Sequence, residues 1–238
     1  MGLVPDGEID GHTHRDVNGG WLRPAVFGAM DGLVSNFALI AGMDGGTDPG
    51  SKVVILAGLA GLVAGAFSMA AGEYTSVASQ RELARAEIEV ERREIRRHPS
   101  LEEQELADTY EAKGLDPTLA GEVAHQFHTD PDQALEEHVR EELGINLNDL
   151  PNPVVAAASS FICFAVGAFL PLLPYLLGAG DVIPAMIVSL TALFACGALV
   201  SRVTSRSWWY SGLRQLILGG AAAAITYAVG ALVGTTLI

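Results

Sequence analysis

Carboxylates recur at helical spacing in one charged segment of the chain, residues 79–150. Glu87, Glu91 and Glu94 stand at i, i+4 and i+7, so a single helix face would carry all three. Like charges placed in this way repel each other unless a cation or a basic neighbour neutralises them. The segment holds 19 acidic against 8 basic residues, so neutralisation by its own side chains is incomplete.

Glu102 and Glu105 repeat the three-residue interval on the next predicted helix. Carboxylate oxygens grouped in this way suit divalent cations. A solvated helix face balanced by neighbouring arginines would have the same spacing, so the pattern leaves both interpretations open. The spacing also leaves open which member of three pairs would face a metal: Glu87 or Glu91, Glu102 or Glu103, and Glu141 or Glu142.

Two histidines of the same segment stand at helical distance from glutamates. Glu122 and His125 have the Glu-x-x-His spacing of di-iron helical bundles, but the sequence has a single copy, which cannot build a dinuclear site of that type. His138 and Glu142, one turn apart among further glutamates, are the better ligand candidates. A histidine that packs or caps the last helix is the alternative for His138.

Helix ends in this segment are marked by prolines, glycines and capping residues. Neither proline nor glycine interrupts 79–97, so the apolar helix before it should continue through it. Ser100 and Glu103 have capping-box spacing and predict the start of the next helix. Two short helices are predicted after Asp-Pro pairs, over 117–127 and 131–143.

Apolar residues are concentrated in five blocks that hold at most one charge each, in a chain with 50% hydrophobic residues. At about 20 residues per bilayer crossing, the blocks predict five membrane-spanning helices, and buried helices of a large soluble core are the alternative. A formal net charge of −14 gives no reason to expect a nucleic-acid partner. The blocks cover residues 25–42, 53–71, 154–177, 182–200 and 216–238.

The predicted fold is therefore all-α, a polytopic membrane protein with a helical domain inserted between spans two and three. The divisions are a polar tail at 1–20, spans one and two at 21–78, the acidic domain at 79–150 and spans three to five at 151–238. Basic residues near the short loops place the N-terminus and the acidic domain in the cytoplasm and the C-terminus outside. His12 and His14 of the tail have no assigned role.

Two spans contain groups that could handle an ion inside the bilayer. An ionised Asp31 in the first span costs about 2.5–3.5 kcal/mol on insertion scales, so it should face a partner, a cavity or an ion route. Met69 of the second span offers a soft thioether, and Glu73 follows one turn later. Core packing is the alternative for Met69, and an ordinary position at the membrane surface is the alternative for Glu73.

Small residues also recur at helix-contact spacing, as in Gly28-x-x-x-Gly32 of the first span. Five helices are few to enclose a polar route. A symmetric homodimer whose first spans meet at the two-fold axis would complete such a route.

At these residues the sequence resembles the vacuolar iron transporter family, the proton-coupled exporters of Fe(II), and often Mn(II), from the cytosol. The resemblance runs from about Trp21 to the C-terminus. It is most specific at 30–39, which reads MDGLVSNFAL, at 65–74, which reads GAFSMAAGEY, and at 140–144, which reads REELG.

The resemblance implies a homodimer with an ion path at its interface, lined by Asp31 and Met69, and a cytoplasmic metal-binding domain. The domain ligands that it implies are Glu91, Glu94, Glu102, Glu105 and Glu142. The chain departs from the family at Glu137-His138-Val139, where plant-like members tend to have methionines. An imidazole in place of a thioether would alter the metal preference.

The expected function is a secondary transporter, not an enzyme, that exports Fe(II) and also Mn(II) in exchange for protons. Protonation of Asp31 or Glu73 would couple the two fluxes. No permanent cofactor is expected, and Zn(II) and Co(II) are further candidate ions. The expected location is the plasma membrane of a prokaryote. A membrane-anchored metal sensor or storage protein and a ferritin-like di-iron oxidase are the alternatives.

Overall fold

A computed structural model describes residues 20–48, 52–204 and 206–237, with the backbone alone at 203, 204 and 237, so His12 and His14 lie outside the described residues. Within the described ranges the chain forms eight α-helices and no strands, which confirms the all-α prediction there. The helices are α1 Leu22–Gly46, α2 Lys52–Arg97, α3 Pro99–Ala112, α4 Pro117–His128, α5 Pro131–Glu142, α6 Pro153–Leu176, α7 Val182–Thr204 and α8 Trp208–Leu237.

Five of these helices, α1, α2, α6, α7 and α8, are long and apolar enough to cross a membrane, as predicted. Their apolar surface mostly faces outward. Only 17% of the most apolar stretch of α2 and 11% of that of α8 is buried within the chain. A large soluble core would bury these stretches, so the distribution favours a lipid-solvated bundle.

The first helix, α1, is the most enclosed span, with α6 against one end and α8 against the other. A Cβ atom at Gly28 would lie 2.6 Å from the backbone oxygen of Ser160, and one at Gly32 would collide with the backbone oxygen of Phe164. Glycines within 42–46 approach the backbone of α8 in the same way. The small residues of the first span are therefore used for contacts inside one chain.

The second helix, α2, is a single element of 46 residues and about 69 Å. This length is twice the thickness of a bilayer core, so its C-terminal half extends beyond the span, as predicted for 79–97. We call residues 79–150, which comprise this extension with α3, α4 and α5, the insert. Apolar residues of α5 pack against the extension, and the buried cluster consists of Ile88, Ile95, Ala134, Leu135 and Val139.

The start of α3 differs from the prediction. The Ser100–Glu103 capping box is wrong, because the helix already begins at Pro99 with His98 as its N-cap and no side-chain cap. Proline at the first helical position has no amide hydrogen to leave unpaired, and its φ angle is preset for a helix. The helix therefore starts before the serine that would have capped it.

The starts of α4 and α5 follow the predicted Asp-Pro signals. The Thr118 amide donates to Asp116 Oδ1 at 3.0 Å, and the Asp132 amide donates to Asp130 Oδ1 at 3.0 Å. Each helix ends within one residue of its predicted end. The starts of both short helices are thus set by local sequence signals.

Candidate metal centre and membrane cavity

The apolar stripe that joins α5 to the extension of α2 also carries acidic and imidazole groups inward. Ile88, Glu91 and Ile95 occupy i, i+3 and i+7, so the carboxylate of Glu91 stands between two side chains that are buried against α5. Ala134, His138 and Glu142 occupy one stripe of α5 at intervals of four. Burial of the aliphatic side chains therefore holds the polar ones in contact.

His138 is the centre of this cluster and is fully buried. Its Nδ1 atom lies 2.8 Å from Glu142 Oε1, 3.2 Å from Glu91 Oε1 and 3.9 Å from Glu102 Oε2. Among the described residues, one group of three ligand-type side chains has its donor atoms within 4.8 Å of one another: Glu91, His138 and Glu142. Glu102 is the fourth side chain at the same place. Imidazole nitrogen with carboxylate oxygen is a donor set that suits Fe(II), Zn(II) and Co(II).

Burial and mutual repulsion raise the pKa values of the carboxyl groups in the cluster. Glu91 lies 20 residues, or about 30 Å, beyond the apolar end of the second span at residue 71. Burial, reinforced by repulsion from Glu142, raises its pKa from 4.5 to about 7, although His138 acts in the opposite direction. Burial and the charge of Glu105 also raise the pKa of Glu102. Glu91 Oε1 is buried, and although His138 Nδ1 lies 3.2 Å away, no donor among the described residues has hydrogen-bond geometry toward it. A divalent cation bound here would reduce the repulsion between the carboxylates and would give Glu91 Oε1 a partner.

Two predicted ligands lie at the rim of the cluster. Glu105 is exposed, yet its charge contributes to the raised pKa values of Glu91 and Glu102. Glu94 acts on Glu102 in the same way, and its Oε2 atom lies 3.9 Å from His98 Nε2. Both are close enough to interact with the centre, but neither belongs to the group within 4.8 Å.

The structure separates the members of the three ambiguous pairs. Glu87 is exposed, Glu103 Oε1 lies 3.0 Å from Nδ1 of His125, and Glu141 forms an ion pair with Lys113. Their partners in sequence are the residues that face His138. The Glu-x-x-His motif contributes nothing to the centre, because the side chain of its histidine is 71% exposed.

A cavity of about 270 Å³ lies between α1, α2 and α6 in the membrane region. Asp31 and Met69 both line it, together with Ser35, Ser68 and Asn36. Asn36 is 2% exposed, and its amide nitrogen donates to the backbone oxygen of residue 168 at 2.6 Å. Its Oδ1 atom has no hydrogen-bond partner within the described residues. The cavity therefore offers a carboxylate, an amide oxygen and a thioether to one small polar ligand.

Glu73 does not line this cavity. Its Oε2 atom lies 3.7 Å from the guanidinium of Arg23, at the start of α1, and its side chain is 11% exposed. It stands one turn beyond Met69 toward the insert. Glu73 therefore lies beside the cavity, on the side toward the insert.

Sequence reasoning did not single out Ser35, Asn36, Ser68 or His128. Ser35 and Asn36 had a usable signal, since they are polar residues in an apolar block four and five positions after Asp31. No sequence signal pointed to His128, because its contact with His138 joins two different helices and does not follow from spacing along the chain.

Comparison with known proteins decides the family. A model of the VIT family matches residues 22–231, which is most of the chain. The chain belongs to the VIT family. A vacuolar iron transporter of Acanthamoeba castellanii is 38% identical over 97% of this chain and 85% of its own length. Vacuolar iron transporter 2 of Oryza sativa subsp. japonica is 31% identical over 92% and 90%, and vacuolar iron transporter 1 of Arabidopsis thaliana is 30% identical over 94% and 91%.

Membership of the VIT family confirms the resemblance inferred at 30–39 and 65–74. The relatives are named as transporters, which supports the prediction of a multi-pass membrane metal transporter and not an enzyme. Within the described residues of this VIT-family chain, ligand-type groups meet in the insert and in the cavity between α1, α2 and α6.

Proposed function

We propose that this VIT-family protein exports ferrous iron, and manganese as a second substrate, from the cytosol in exchange for protons. The relatives in rice, thale cress and Acanthamoeba are named iron transporters. The observation that carries the proposal is the cavity in the membrane region, because its carboxylate, amide oxygen and thioether converge where lipid would otherwise surround apolar side chains.

The cavity groups can replace the water that a cation loses on entering the bilayer. Asp31 supplies the compensating charge, Asn36 a neutral oxygen and Met69 a soft donor that favours Fe(II) over harder ions. A proton and a cation compete for the same carboxylate. Protonation of Asp31 from the outer side would release the metal there, and this competition couples the two fluxes.

The insert collects the metal on the cytosolic side. Glu91, Glu102, His138 and Glu142 hold the ion, and the rim glutamates Glu94 and Glu105 raise its local concentration. Glu91 and Glu73 are 18 residues apart on one helix, about 27 Å. Collection and crossing are therefore separate steps, with Glu73 at the entrance between them.

Two copies of the chain form the complete path. Phe27, Asp31, Ser35 and Leu39 follow one another at intervals of four along the least covered face of α1, beside the cavity. A second copy placed against this stripe would close the cavity toward lipid. The Gly28 and Gly32 side of α1 is already occupied by α6, so the stripe is the face left for the partner.

The N-terminus and the insert face the cytosol, and the C-terminus faces the opposite side. Arg23, Arg202, Arg206 and Arg214 flank the spans on the insert side. The relatives are named vacuolar, so they lend no support to the prokaryotic plasma membrane expected from the sequence, and that location stays a prediction.

A flux assay in sealed proteoliposomes tests the proposal. Fe(II), Mn(II), Zn(II) and Co(II) are offered one at a time, with and without a pH gradient. Export in exchange for protons predicts Fe(II) and Mn(II) flux that increases when the destination compartment is more acidic, and alkalinisation of that compartment as metal enters. Metal binding without any flux would instead identify a sensor or storage protein.

A further inference from the structure

His128, the last residue of α4, contacts the buried imidazole of the proposed metal centre from the side opposite to the carboxylates. Its Nε2 atom lies 3.4 Å from His138 Nε2, and the two rings meet edge to face with centroids 5.2 Å apart. The other nitrogen of His128, Nδ1, lies 3.0 Å from the backbone oxygen of Ala124. The metal function proposed above does not use His128.

These contacts assign the ring hydrogens. A carbonyl oxygen only accepts, so Nδ1 of His128 carries a hydrogen and donates it to Ala124. The Nε2 atom of a neutral His128 is then an acceptor. The hydrogen between the two Nε2 atoms therefore belongs to His138. The other nitrogen of His138, Nδ1, forms a hydrogen bond of 2.8 Å with Glu142 Oε1, and a bound metal would take the place of the hydrogen in that contact.

We propose that His128 is a positioning residue for the metal centre: it accepts the Nε2 hydrogen of His138 and so directs the Nδ1 lone pair of His138 to the metal. This inference rests on the proposed collection of metal by the insert. Metal-bound histidines commonly donate their second ring N–H to a fixed acceptor, which sets ring orientation and increases ligand basicity. Here that acceptor is a second histidine, held in turn by a backbone carbonyl of its own helix.

A direct bond from His128 to the metal is the competing arrangement. In a tetrahedral site with Zn–N bonds of about 2.0–2.1 Å, two nitrogens bound to the same ion also lie about 3.4 Å apart. The distance between the two Nε2 atoms alone therefore does not separate the two arrangements. However, among the described residues no carboxylate or thiol joins the two Nε2 atoms in a group of three. The carboxylates gather instead at Nδ1 of His138, on the other edge of that ring.

Nitrogen NMR of the full-length protein with ring-labelled histidine tests the inference, with Zn(II) as a diamagnetic probe. The chain has six histidines, so single substitutions assign their signals. In the parent, Zn(II) should bind Nδ1 of His138, while Nε2 of His138 retains a hydrogen that is coupled to Nε2 of His128. Zn(II) bound to Nε2 of either histidine would overturn the proposal, and this measurement needs no variant at position 128.

Affinity measurements in variants supply the second readout. His128→Phe keeps an aromatic ring but removes the acceptor, and should weaken Zn(II) binding about 10-fold or more, the usual effect of removing such a partner. His128→Gln restores an acceptor near the same place and should recover most of the loss. His125→Phe, the same change on an exposed ring of the same helix, should have no effect.

The outcomes separate this inference from the proposed function. Unchanged affinity and unchanged His138 signals in His128→Phe would overturn the positioning role while leaving the metal centre intact. If Zn(II) does not shift the His138 signals in the parent, the metal centre itself fails, and the positioning role fails with it.

Discussion

At the residue scale, the centre combines groups that would destabilise one another without a cation. Glu91 stands between two isoleucines that pack on α5, and its side chain is only 13% exposed. Its neighbours Glu102 and Glu142 add negative charge. The Nδ1 edge of His138 faces these oxygens and is the natural partner of a metal among them.

The first prediction concerns the pH dependence of the metal-free protein. The Glu91 pKa is about 7 when folded against 4.5 ordinarily, so between these values the folded state binds more protons than the unfolded state. The stability that Glu91 contributes is therefore present at pH 4.5 and is lost as the pH rises to about 7. In the presence of a chelator, the midpoint temperature of unfolding of Glu91→Gln should increase relative to that of the parent as the pH rises from 5 to 8. If the midpoints of the two proteins changed with pH in the same way, the raised pKa of Glu91 would be contradicted.

The second prediction separates ligands from a solvated acidic face. Glu102→Ala with Glu105→Ala should weaken Fe(II) binding at least about tenfold, or 1.4 kcal/mol, and slow flux at low metal, with flux retained at saturating metal. Glu103→Ala with Glu111→Ala removes the same charge from the same helix away from His138 and is the control. Calorimetry on the full-length protein gives the affinities. If both double variants lost Fe(II) affinity equally, a general acidic surface would be favoured over specific ligands.

At the element scale, the sequence predicted features that are local and missed those that join distant segments. The Asp-Pro starts of α4 and α5, the uninterrupted α2 and the five spans each follow from a few adjacent residues or from length and hydropathy. The pairing of Glu91 with His138 spans 47 positions, so spacing named both residues but could not choose Glu91 over Glu87. Helix packing made that choice, and it also brought His128 to the centre.

The third prediction concerns the close contact of α1 with α6. Gly32→Ala places a methyl group against the backbone oxygen of Phe164, which cannot move away as a side chain would. The substitution should destabilise the protein by about 1–3 kcal/mol. Gly220→Ala in α8 meets only Leu190 at an ordinary 3.6 Å and should be tolerated. Thermal unfolding in detergent compares the two, and equal midpoints would contradict the contact.

At the scale of the whole molecule, the proposed ion path is open on one side in a single chain. The cavity is bounded by α1, α2 and α6 but opens toward the uncovered stripe of α1. Polar groups open to lipid are unfavourable, whereas a two-fold partner would enclose them. In the proposed function, collection by the insert and passage through the paired spans would then form one route.

The fourth prediction places the two-fold axis at this stripe. Both native cysteines, Cys163 and Cys196, are free and are replaced by serine for the test. Phe27→Cys or Ser35→Cys, introduced one at a time, should give disulfide-linked dimers in membranes, because equivalent positions near a two-fold axis approach each other. Ile225→Cys, 64% exposed on α8, should stay monomeric on the same gel. Cross-linking at position 225 alone would place the interface on α8.

Fe(II) flux through Asp31→Asn is the most direct test of transport through the cavity. The substitution preserves the shape of the side chain but removes the charge that compensates a dehydrated cation, so flux in sealed vesicles should fall to background while the protein remains folded and assembled. Asp48→Asn, at an exposed position just beyond the end of α1, removes the same charge outside the cavity and should transport normally. Equal Fe(II) flux in Asp31→Asn and the parent would contradict the proposed path.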